Sequence, residues 1–152
     1  GDYANGIQQF NKIIDGNNNV SQNAYYHLAE CYLKLDKKQE ALNAFRNASQ
    51  MDFIPEIQKD AYLNYARLSY EIGNAYEPVP KVLTNYLEKY PNDPNKGEMQ
   101  ELLVDSYITS KNFAGAMELL EKNKNFASKV TYQKVAFYRG VELFLEMNYE
   151  EA

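Results

Sequence analysis

His27 and Cys31 stand at positions i and i+4, a spacing that would bring both side chains to one metal ion on a single helical face. A zinc centre of either kind draws three or four ligands from the protein, and the chain has one His and one Cys in all. The pair therefore reads as packing between helices, and no metal or cofactor is expected. Glu98, Glu101 and Asp105 share a second face, where hydrolysis by paired carboxylates would need two of them across a cleft with one held protonated by burial. Acids near a helix start are favoured by the macrodipole in any case, so a solvated face, or the lining of a groove, explains them better than catalysis. No glycine-rich phosphate loop and no nucleophile motif is present. The expectation is a protein that is not an enzyme.

Composition narrows the partners. The 152 residues carry a net charge of −5, which lacks the basic footprint that displaces counterions from a phosphate backbone, so nucleic acid is not expected. No run approaches the apolar length of a membrane-spanning helix, so no membrane insertion is expected either. With 45% hydrophobic residues the chain can fill a core. Fourteen tyrosines and no tryptophan are its most unusual feature. A tyrosine fills a seam between helices while its hydroxyl reaches water.

The elements that must position these residues follow from apolar periodicity. Helices are predicted over 4–14, 22–35, 38–51, 56–72, 77–90, 96–110, 113–124 and 131–147, and no stretch alternates as a strand does. Punctuation falls at Asn17 to Asn19, at Pro55, at Gly73 with Asn74, and from Pro91 to Pro94, while Pro78 and Pro80 belong to a first helical turn. The pattern repeats. A turn followed by an amphipathic start occurs from Gly1 through Tyr3, Phe10 and Ile13, at Lys38 to Ala48, at Gly73 to Tyr86, at Asn112 to Leu120, and again from Asn148 to Ala152. A second helix precedes each such unit, with the small residues Ala29, Ala66 and Gly140 recurring where two helices would approach closely.

The order Tyr25, Leu28, Ala29, Tyr32, Ala41, Phe45, Ala48 resembles the tetratricopeptide repeat, a helix pair of about 34 residues. The spacing from Ala29 to Ala66, Val104 and Gly140 is slightly longer than that, as in divergent bacterial members. The resemblance implies an all-α, right-handed solenoid of antiparallel helix pairs. Residues 1–20 would be the second helix of a truncated repeat, 21–55, 56–94 and 95–130 three repeats, and 131–152 the first helix of another. It also implies a fragment of a longer protein whose halved ends could associate end to end or as a dimer. The stretch from Tyr86 to Pro94 resembles a junction in tetratricopeptide proteins of bacterial cell envelopes, which points to the periplasm or envelope, although the residues themselves name no compartment.

Family geometry lines the concave face with the first helix of each pair. Carried over, it implies a partner-binding surface of Tyr26, Glu30 and Leu33, then Leu63, Arg67 and Tyr70, then Glu101 and Asp105, then Phe137, among inner positions that also take in Asn23, His27, Lys34, Asp60, Asn64, Glu71, Glu98, Leu102, Ile108, Thr109, Lys134, Tyr138, Val141, Phe144 and Leu145. The implied function is a scaffold that binds a peptide or helix of another protein, and so acidic a surface should prefer a basic or neutral segment. The alternatives are a spacer in an envelope assembly, an RNA-binding helical repeat and a helical-toroid glycosidase.

Overall fold

A computed structural model describes residues 2–12, 14, 17–122 and 129–151, without the side chains of 122, 129–132 and 151. Among the described residues the chain is all-helical, with no strand: α1 (Tyr3–Asn11), α2 (Asn19–Lys34), α3 (Lys38–Ser49), α4 (Pro55–Ile72), α5 (Val79–Lys89), α6 (Lys96–Thr109), α7 (Phe113–Lys122) and α8 (Lys129–Glu151). They fall into two compact units, Gly1–Glu77 and Pro78–Ala152.

In the first unit α2 packs on α1 and α3, α3 packs on α4, and α2 also reaches α4. The core is built from Leu28 and Ala29 of α2, Leu42, Phe45 and Ala48 of α3, and Ala61, Tyr65 and Ala66 of α4. Each large aliphatic or aromatic side chain taken fully out of water contributes about 1.5–3 kcal/mol. The alanines at 29 and 66 have no exposed surface, as expected of residues that let helices approach closely.

Caps account for the helix boundaries. Asn18 has extended backbone and its side chain accepts from the Ser21 amide at 2.9 Å, so α2 starts three residues before the predicted position and takes the third asparagine of the run into its first turn. Pro78 is the N-cap of α5 and Pro80 lies in its first turn, where a missing amide costs least. At the end of α2, Asp36 takes a positive φ of 56°, the Lys37 amide returns to the Tyr32 carbonyl and the Asp36 amide to that of Leu33. At the end of α6, Lys111 takes φ 60°, with the Asn112 amide on the Tyr107 carbonyl and the Lys111 amide on that of Ile108. Both are the same left-handed stop, built on residues other than glycine. After α4 the stop is Gly73, at φ 83° and ψ 174°, a region open to little else.

In the second unit α6 packs on α5 and α7, and α7 on α8. Tyr86 is fully buried and donates to Asp93 at 2.6 Å, while the same carboxylate oxygen accepts from the Asn95 amide, which shapes the Pro91 to Pro94 turn. Val104, Ala116, Leu120 and Val135 form the cluster joining α6, α7 and α8.

Two expectations change here. Helix α8 runs unbroken through Asn148 to Glu151, where a new turn was expected; one asparagine costs a helix well under about 1 kcal/mol, too little to stop it. Gly140 is not a close-approach site, because a Cβ built there meets nothing within 4 Å. Gly1, Ile13 and Ala152 of the repeat pattern lie outside the described residues.

Candidate functional site

Positions 26, 30, 33 and 34 lie on one face of α2, since i, i+4, i+7 and i+8 line up along a helix. That face borders an open cleft of about 360 Å³ lined by Tyr26, Glu30, Leu33, Lys34, Phe45, Asp60 and Asn64. Asp60 and Asn64 come from α4, one turn apart, and Phe45 closes the floor from α3.

The floor is organised by Tyr26. Its hydroxyl donates to the Asp60 carboxylate, which ties α2 to α4, and its ring meets Phe45 edge-on with centroids 6.0 Å apart. Asn64 donates to the same carboxylate oxygen at 3.2 Å and to the Asp60 carbonyl at 2.9 Å. Burial, then the hydrogen bond to Asp60 and the charges of Asp60 and Glu30, hold the Tyr26 hydroxyl well above the ordinary tyrosine range. The rim is more open: Glu30 is exposed and bonds His27 Nδ1 at 3.0 Å. Two carboxylates face one lysine in the cleft, so its charge balance is acidic.

His27 and Cys31 do not line the cleft, although His27 meets the Tyr26 ring edge-on with centroids 5.5 Å apart. The His27 ring stacks on Phe10 of α1 with centroids 5.8 Å apart, and Cys31 Sγ lies 3.4 Å from where a Cβ on Gly6 would stand. Both therefore pack toward α1. Burial, and secondarily Glu30, pushes the Cys31 thiol up, which disfavours the reactive thiolate. Among the described residues no group of three His, Cys, Asp or Glu side chains is placed to hold a metal ion, and no helix is long and apolar enough to cross a membrane.

The other expected surface residues divide. Tyr26, Glu30 and Leu33 line the cleft; Arg67 and Tyr70 follow farther along α4, Arg67 half-buried and Tyr70 exposed. Leu63 is 7% exposed and belongs to the core rather than to a surface. Glu101 and Asp105 stand on α6 and Phe137 on α8, all in the second unit, Glu101 and Phe137 exposed and Asp105 half-buried. The geometry of the resembled repeat names most of the lining on α2 and α4, together with many inner positions that lie outside the cleft. Phe45 was missed because a residue on the core face gives no sign that its edge also floors a cleft. Gln22 was missed too: it is fully buried, its amide donates to the Ala48 carbonyl at 3.1 Å and to that of Met51, and its oxygen accepts from the Ile54 amide at 2.7 Å. It fixes the α3–α4 connection against α2, the helix that supplies one wall of the cleft.

Compared with known proteins, the chain matches no family model, no curated protein and no solved structure.

Proposed function

We propose that this chain is a tetratricopeptide-type array of helix pairs in a right-handed solenoid, a non-enzymatic scaffold whose cleft receives a segment of a partner protein. The observation that carries the binding reading is the open cleft itself: an aromatic and aliphatic floor from Tyr26 and Leu33, backed by the buried Phe45, beneath an acidic rim from Glu30 and Asp60. The repeat reading is supported by the matching left-handed stops at Asp36 and Lys111, each followed by a short helix start.

A segment that fits places an apolar side chain on the floor and a basic one between Glu30 and Asp60, with Arg67 and Tyr70 extending the contact along α4. A basic side chain above Tyr26 also gains from the ring face. The spacer reading is favoured by one observation, the bond from Tyr26 to Asp60, which gives the same residues a structural task.

Labelled synthetic peptides of equal length, basic amphipathic, neutral amphipathic and acidic, decide between the two. Binding is expected for the basic peptide, with Kd on the order of 10 µM, and not for the acidic one. Glu30→Lys, a change at an exposed residue, should weaken it about tenfold with helicity unchanged. Equal indifference to all three peptides would leave the spacer.

A further inference from the structure

Helix α8 turns a row of large apolar side chains to solvent. Phe137, Val141, Phe144 and Leu145 are 67%, 42%, 62% and 60% exposed, on the side opposite the fully buried Val135. Positions 137, 141, 144, 145 and 148 recur at intervals of three or four residues, so they line one side of the helix. Gly140 borders the row and leaves the backbone open to approach.

The charges of α8 are arranged against its own dipole. Lys134 and Arg139 stand in the first half and Glu142, Glu146 and Glu150 in the second, Arg139 donating to Glu142 across the middle, with no acid in the first turn and no base in the last. A lone helix prefers the reverse, carboxylates at its N-terminus and cations at its C-terminus. An antiparallel neighbour carrying the same sequence relieves both ends at once, because each basic half then lies along an acidic half. A parallel copy would set like charges side by side.

We infer that α8 pairs with α8 of a second copy of this chain, antiparallel about a two-fold axis near Val141. Phe137 of one copy then lies beside Leu145 of the other, and Val141 meets its own counterpart. The exposed row with Met147 leaves roughly 500 Å² of apolar surface on each copy, so pairing removes at most about 1,000 Å² from water, the lower bound for a specific interface and the size of a weak dimer. The inference is independent of the cleft in the first unit.

Sedimentation equilibrium of the full chain, from micromolar to near-millimolar concentration, tests it. A dimer is expected, weakened by added salt and about tenfold by Lys134→Glu. Val141→Lys, which puts two ammonium groups on the axis, should give a monomer of unchanged helicity. Orientation is read by oxidative cross-linking in a Cys31→Ser background: Phe137→Cys and Leu145→Cys should link when mixed, and neither should link alone. A monomer at every concentration, a dimer indifferent to Val141→Lys, or cross-linking of either single variant with itself would each overturn the pairing.

Discussion

Tyr26 shows how one side chain can hold a site together and color its response to pH. The bond from its hydroxyl to Asp60 joins α2 to α4, and the raised tyrosines Tyr26, Tyr65 and Tyr90 share burial as their leading cause. A hydroxyl whose folded pKa exceeds its unfolded one leaves the native state holding more protons between the two values. Stability from these groups is therefore complete below about pH 10, the ordinary tyrosine value, and is lost as pH rises through the raised values. Tyr26→Phe should cost about 1 kcal/mol at neutral pH and flatten the alkaline decline, as read from urea midpoints on either side of pH 10. The Cys31 thiol, pushed up by burial and by Glu30, should react with a thiol reagent more slowly than a free cysteine at the same pH, and unfolding in urea should abolish the difference.

Among the elements, the connections carry more than their length suggests. Gln22 satisfies backbone groups at Ala48, Met51 and Ile54 from inside the core. Gln22→Leu would remove the side-chain partner of the Met51 carbonyl and the Ile54 amide, while the Ala48 carbonyl keeps the Met51 amide, and a loss of about 2–3 kcal/mol is expected in equilibrium unfolding. Gly73 occupies a backbone region that a Cβ disfavours, so Gly73→Ala should cost about 1–2 kcal/mol although nothing lies within 4 Å of the added atom. A larger loss at Gly73 than at an exposed helical alanine control would separate backbone strain from packing. These elements also mark what a sequence can disclose. Apolar periodicity places each of the eight helices found among the described residues, and Gly73 with Asn74 announces its turn. The Asn17 to Asn19 run reads as loop because three asparagines in a row look alike until one of them caps a helix. Gln22 was silent because a buried amide differs from a solvated one only by the carbonyls and amide it meets across sequence. The end of α8 was misread because a turn-forming asparagine is also tolerated inside a helix that is otherwise well formed.

At the level of the whole chain, the proposed function rests on surfaces, which sequence describes less well than cores. The face of α2 bearing Tyr26, Glu30 and Leu33 follows only from the resemblance to a repeat, whereas its meeting with Asp60, Asn64 and Phe45 needed the packing of three helices. Leu63 illustrates the converse: it sits in the expected series on α4, yet the core claims it. The most direct test of the binding account is a heteronuclear NMR titration of the isotopically labelled chain with the basic amphipathic peptide. Saturable shifts centred on Tyr26, Glu30, Leu33, Lys34, Phe45, Asp60 and Asn64 are expected, and Glu30→Lys should move the midpoint without moving the pattern. Saturable shifts centred elsewhere, or a spectrum unmoved at millimolar peptide, would contradict it.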